Sequence, residues 1–136
     1  MDILKFPFLR LHKYDLPRPW LPIVIGNLHS DPPKIIRTYG LIDTGADECA
    51  IPAGYASLLG HNLQDGVQKI INTGNGPSIA YSHTLCIDVQ GIRSDNVLID
   101  FMPNLSVILL GVSNFLEKFV LAVDYPNNTF SLRKPL

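Results

Sequence analysis

The chain is short of several things, and each shortage removes a class of function. Only two of its 136 residues are cysteine, Cys49 and Cys86, too few for a disulfide framework and without metal-ligand spacing. Reduced thiols in a cytoplasmic compartment are the expectation. Its four histidines, His12, His29, His61 and His83, are scattered and form no His-Glu-x-x-His pair, so no metal site is expected. Charge of one sign is missing too: 11 basic residues face 12 acidic ones with no run of either, which argues against nucleic acid or an anionic membrane as partner. Long hydrophobic runs are absent as well. Val107 to Val112 and Phe119 to Val123 fall far short of the roughly 20 residues of a spanning helix. The apolar start, Met1 to Tyr14, is broken by Asp2, Lys5, Pro7, Arg10 and Lys13 before a signal-peptide core can form, and it is expected to belong to the mature chain.

What remains is an ordinary globular composition, 46% hydrophobic and 17% charged, punctuated by 11 prolines and 10 glycines. Short segments rich in Val, Ile, Leu, Tyr and Phe lie between these breakers, the mark of a mostly β domain. The expected strands are Ile3 to Leu11, Trp20 to Asn27, Lys34 to Ile42, Val67 to Asn72, Ser78 to Val89, Arg93 to Phe101, Val107 to Leu110, Phe119 to Asp124 and Thr129 to Arg133. Asn75-Gly76, between two such runs, is a strong hairpin signal. Two short helices are expected. One begins at Pro52, suited to a first helical position, and ends before Gly60. The other follows Gly111, where Val112, Phe115, Leu116 and Phe119 recur at helical spacing.

The chemistry concentrates between Gly40 and Pro52, which reads Gly-Leu-Ile-Asp-Thr-Gly-Ala-Asp-Glu-Cys-Ala-Ile-Pro. An apolar strand runs straight into Asp43, Thr44 and Gly45, which delivers a carboxylate to a tight loop at the end of a core strand. Asp-Thr-Gly alone reads equally well as a turn. Downstream, Val107-Ile108-Leu109-Leu110-Gly111 is a second apolar run closing on glycine, and Thr73-Gly74-Asn75-Gly76 tips the hairpin between the two.

These three elements, in this order, resemble the active-site motif, the flap and the second hydrophobic-hydrophobic-Gly element of the retropepsin-like aspartic peptidases, the family of the retroviral proteases and their cellular relatives. The resemblance runs from about Trp20 to Arg133 and leaves residues 1–19 as an N-terminal extension of one retropepsin-like domain. It implies an all-β, closed-barrel-like retropepsin fold with a flap β-hairpin and one or two short helices. It also implies an aspartic endopeptidase without cofactor, in which Asp43 is catalytic.

One Asp-Thr-Gly in a chain the size of one lobe implies a homodimer, with the second Asp43 coming from another copy. Thr44 and Gly45 would support the dyad. Ala46, Asp47, Gly74, Asn75, Gly76, Val107 and Leu109 would contact a polypeptide substrate. Retroviral members carry arginine directly after the second glycine, pairing with the aspartate that corresponds to Asp47, whereas this chain has Val112. The dimer would then need another tether. A different class of function stays open: the same dimer could bind peptides or scaffold an assembly without cleaving them.

Overall fold

The computed structural model describes residues 3–136. Ten strands account for most of the chain: β1 (Leu4–Pro7), β2 (Trp20–Asn27), β3 (Lys34–Ile42), β4 (Cys49–Pro52), β5 (Val67–Thr73), β6 (Gly76–Val89), β7 (Ile92–Met102), β8 (Ile108–Leu110), β9 (Val120–Asp124) and β10 (Thr129–Arg133). One four-residue helix, α1 (Tyr55–Leu58), and two 3-10 turns at Leu63–Asp65 and Leu116–Lys118 join them.

Seven strands form a sheet in the order β2-β3-β8-β4-β7-β6-β5, and β2 also pairs with β6. That extra pairing closes six strands into a barrel and leaves β5 outside it, held to the sheet through β6. The interior holds alternate residues of these strands, among them Leu21, Ile23, Ile25, Ile51, Leu85, Ile87, Val97, Phe101 and Leu110. Period-two burial is what makes such segments strands: β2 hides Leu21, Ile23 and Ile25 and turns Pro22 and Val24 outward.

A second, three-stranded sheet, β1-β10-β9, is fully antiparallel. Phe6 of β1 stacks on Phe130 of β10 with ring centroids 5.2 Å apart, and both are buried in the main core. The N-terminal segment is therefore fastened to its own chain. Its expected strand is shorter than the sequence suggests, ending at Pro7, with an isolated bridge between Leu9 and Arg18 beyond it.

Both expected helices need correction. Pro52 does not start one: it ends β4, whose residues run parallel to Cys49–Pro52's partners Ile99–Met102 in β7, and the helix begins only at Tyr55. Toward β8 the pairing of β4 reaches only Ala50, so on that side Pro52 lies beyond the ladder, as at a sheet edge, where proline is tolerated. Gly60 does adopt the left-handed backbone expected of a stop, with φ +74°. After Gly111 the apolar spacing gives only turns and one 3-10 segment, because Asn114 enters the left-handed region (φ +62°) and breaks the helical path. Phe115 and Leu116 are nevertheless buried as that spacing requires.

The β5–β6 hairpin forms where expected, one residue out of phase. Thr73 pairs with Gly76, so Gly74 and Asn75 form the turn, and the positive φ (+99°) falls on Gly76. A left-handed glycine after the turn is the arrangement that matches strand twist in such hairpins.

Candidate active site

Asp43 is the first residue beyond β3, and its position is set from behind by β8. Gly40, Leu41 and Ile42 of β3 run parallel to Ile108, Leu109 and Leu110 of β8. The Asp43 N–H continues that ladder by donating to the Leu110 carbonyl at 3.0 Å. The loop then folds on itself: the Ala46 N–H donates to the Asp43 carbonyl (3.2 Å), and the Gly45 N–H donates to Asp43 Oδ1 (3.1 Å). The second bond fixes the carboxylate relative to its own backbone, an Asx-type arrangement open to a short acidic side chain.

The segment after Gly111 completes the frame. Val112 N–H donates to the Ala46 carbonyl at 3.0 Å and Ser113 N–H to the Asp47 carbonyl at 2.7 Å. Gly111 itself is pressed against the loop so closely that a Cβ there would lie 2.4 Å from the Glu48 carbonyl oxygen and 2.8 Å from that of Ala46. Gly40 meets Leu110 the same way, at 2.7 Å. Gly111 thus lets its segment pack backbone to backbone on the Asp43 loop, and Gly40 makes room in β3 for the Leu110 side chain of β8. Cys49 is buried behind this contact, accepting from the Gly111 N–H at 3.4 Å, and burial pushes its thiol pKa up to about 11. A thiol so held is a wall, as its lack of a placed histidine suggests.

The opposite side of the loop is open. Thr44, Gly45 and Asp47 are exposed, and Asp43 and Ala46 are half-buried. Leu109, half-buried on β8, packs with Ala50, Ala80, Met102, Ile71 and Leu105 in a small apolar cluster separate from the main core. Gly74 and Asn75 are exposed at the hairpin tip, and neither Gly74 nor Gly76 has any neighbour within 4 Å of where a Cβ would stand. Val107 is not grouped with Leu109. It precedes β8 and borders a cavity of about 250 Å³ with Trp20, Thr38, Tyr39, Pro52 and Tyr55.

One cluster lies outside the sequence-based expectations. Asp100, a carboxylate on a strand with no sequence motif around it, is only 5% exposed. Lys69 of β5 lies with Nζ 2.8 Å from Asp100 Oδ1 and 2.5 Å from Glu48 Oε2, and Ser82 of β6 donates to Asp100 Oδ1 at 3.0 Å. Burial raises the Asp100 pKa above the usual carboxylate value even though Lys69 and Ser82 pull against it. For Lys69 burial works the other way, and its bonds to Asp100 and Glu48 prevail and hold its pKa above the ordinary one. Alternation along β7 points Asp100 outward with exposed Leu98; the only local sign of its burial is the apolar run Ile99, Phe101 and Met102 around it, where the alternation stops.

Comparison with known proteins agrees with this geometry. The family model described as "gag-polyprotein putative aspartyl protease" matches residues 37–118, more than half of the chain and inclusive of the Asp43 loop, the hairpin and Gly111. Among solved structures, a retropepsin-like aspartic protease from Rickettsia conorii superposes over 97% of this chain and 99% of its own, with a TM-score of 0.71 at 20% sequence identity. The EIAV protease, solved with the inhibitor HBY-793, aligns over 75% of this chain and 88% of its own at 21% identity, with a TM-score of 0.47. Comparison with curated protein sequences gives no match. The barrel is thus of the retropepsin-like, all-β kind, and the chain belongs to the gag-type aspartyl protease family.

Proposed function

We propose that the protein is an aspartic endopeptidase, active as a homodimer, that hydrolyses peptide bonds of extended polypeptide with a water activated between two Asp43 carboxylates. The observation that carries this reading is the Asp43 loop itself: a carboxylate held by the Gly45 N–H, on a backbone anchored where the Asp43 N–H donates to the Leu110 carbonyl, on a face where Thr44, Gly45 and Asp47 stand exposed.

Amide hydrolysis without metal or covalent intermediate needs one group to take a proton from water and another to give one to the carbonyl oxygen. One carboxylate cannot do both. Two carboxylates about 3 Å apart cannot both ionise, so they share a proton and divide the roles, the established behaviour of aspartic-protease dyads. The chain has one Asp-Thr-Gly, so the twin comes from a second copy related by a two-fold axis.

In that dimer the Thr44 hydroxyl bonds to the partner loop, which a hydroxyl can do and a methyl cannot. Gly45 leaves room for the substrate backbone, since a Cβ there would meet nothing closer than Asp43 Oδ1 at 3.5 Å. Ala46, Asp47, Leu109 and Val107 form the cleft wall, of which Val107 is the outlying member. Gly74, Asn75 and Gly76 tip a flap that closes over the peptide and excludes water. The substrate lies extended and adds as a strand.

Val112, at 39% exposed, stands where the retroviral arginine would tether Asp47, and it supplies apolar contact area in place of that ion pair. The three-stranded sheet β1-β10-β9 offers unpaired edges for further pairing between copies. We read residues 1–136 as one domain, with 1–19 joined to it through β1, and its two free thiols suit a reducing, cytoplasmic setting.

The test is incubation with a denatured protein mixture across acidic to neutral pH, with and without a statin-type transition-state mimic, beside Asp43→Asn. Cleavage that the mimic inhibits and Asp43→Asn abolishes supports the reading. Cleavage surviving Asp43→Asn rejects it, and peptide binding without cleavage by the unaltered protein reassigns the dimer to binding or scaffolding.

A further inference from the structure

Lys69 sits at a junction that neither the barrel nor the dyad requires. Its strand, β5, is the outermost of the large sheet and is hydrogen-bonded only to β6. Its inner face carries Lys69 and Ile71, half-buried, between exposed Gln68, Ile70 and Asn72. Ile71 reaches the apolar cluster of Ala50, Ala80, Met102, Leu105 and Leu109. Lys69 reaches two carboxylates on different elements: Glu48, in the loop that begins at Asp43, and Asp100, in β7. Among the described residues, these are the only side-chain hydrogen bonds or ion pairs from β5 to anything other than its own turn.

The chemistry of the junction is asymmetric. An ammonium carries three donors and can serve both carboxylates at once. Asp100 is anchored a second time by Ser82, so it is the fixed post of the cluster. Glu48 has no side-chain partner besides Lys69 among the described residues, and its carbonyl is the atom against which Gly111 is packed. Lys69 thereby joins the hairpin to the same peptide segment that frames Asp43. The ionisable groups facing one another here are Lys69 of β5, Glu48 of the loop, Asp100 of β7 and, behind them, the thiol of Cys49.

We infer that Lys69 is a positioning residue: by bridging Glu48 and Asp100 it sets the height of the β5–β6 hairpin above the Asp43 loop, so that closure of the hairpin on a peptide is felt at the loop. This rests on the proposed function only in taking the hairpin as a flap. The lysine acts through the hairpin and touches no reacting atom.

The experiment separates the two ideas by using Asp43→Asn protein as the background for hydrogen exchange, so that no cleavage is needed for the readout. Lys69→Met is expected to speed exchange of the 67–80 amides about tenfold or more, and that of 44–49 several-fold, while β2 and β3 keep their protection. Lys69→Arg, which can still bond both carboxylates, should restore most of the protection in both segments. Glu48→Gln leaves the Lys69–Asp100 pair in place; it should loosen 44–49 more than the hairpin, and it provides the test if Lys69→Met does not fold.

In active protein, Lys69→Met should lower kcat/KM about tenfold, mostly through KM, with rescue by Lys69→Arg. Hairpin exchange within twofold of the parent in Lys69→Met, exchange of 44–49 within twofold of the parent in Glu48→Gln, or a uniform rise across the barrel strands in either variant, overturns the inference. Faster hairpin and loop exchange in a protein that cleaves nothing sustains the coupling and discards the peptidase reading alone.

Discussion

Behind the Asp43 loop, backbone groups are matched and space is used up: the Asp43 N–H meets the Leu110 carbonyl, Val112 and Ser113 meet the Ala46 and Asp47 carbonyls, and Gly111 leaves no room for a methyl group. In front of it, Thr44, Gly45 and Asp47 are exposed, and a Cβ on Gly45 would make only an ordinary contact. The same dozen residues are over-determined on one side and unfinished on the other. Packing is concentrated where it aims the carboxylate and withheld where a second copy and a substrate would have to come.

The sharpest way to break that comparison is at the carboxylate. Asp43→Asn should cut peptide cleavage by about 10³-fold or more, the scale of a lost acid–base group, while thermal unfolding stays put because the Asn side chain can still accept from the Gly45 N–H. A large loss of stability would mean that the front face is structural after all.

The two glycines come next, and they should behave oppositely. Gly111→Ala forces a methyl into the Glu48 and Ala46 carbonyls, and urea unfolding should show a loss of about 3 kcal/mol or a failure to fold. Gly45→Ala should stay within about 0.5 kcal/mol of the parent and yet lose activity, since its added carbon would stand on the exposed face where the proposed substrate has to approach. Equal destabilisation of both would erase the contrast.

Thr44 tests the front face for a missing partner. Thr44→Val should weaken dimerisation about tenfold by sedimentation, on the order of one hydrogen bond per subunit, and Thr44→Ser should not. No change in either variant would place the interface elsewhere.

The smallest effect is expected far from the loop, where His61 stacks on His83 at 4.5 Å and its Nε2 bonds the Thr84 carbonyl. Burial lowers the His61 pKa below the ordinary 6.5, helped by the neighbouring His83. The unfolded chain therefore takes up this proton first, so the stability it contributes is complete above pH 6.5 and is lost as pH falls through the lowered folded value. Asp100 works in the opposite sense: its folded pKa lies above the ordinary 3.8, so the stability linked to its proton is fully present below 3.8 and is lost as pH rises through the raised folded value. Thermal unfolding against pH should flatten above the carboxylate range in His61→Gln and steepen in Asp100→Asn. An unchanged profile in both would remove these groups from the acid response.

Much of this was legible in the residues. β2, β3 and β10 have the bounds that alternation predicts, and the Asp43 loop, the hairpin and Gly111 stand in the order their sequence suggests. The misses have a common cause. β4 is four residues ending in proline, too short to show a period, and only its pairing with β7 and β8 makes it a strand. Asp100 carries no local sign of burial beyond its apolar neighbours, because its counter-charge lies on β5 and its hydroxyl partner on β6. The helix expected after Gly111 had the right spacing, but a left-handed Asn114 overrode it. Local pattern fixes what a segment prefers, and distant partners decide the rest.

The β2–β6 pairing has one more consequence. A sheet that meets itself offers no seam for a stranger's strand, so within the described residues backbone recruitment is confined to the rims: the outer side of β5 and the flanks of β1 and β9. Residues can be added to or trimmed from the hairpin tip without reopening the cylinder. The length of the hairpin can therefore drift freely while the wall keeps the aim of Asp43.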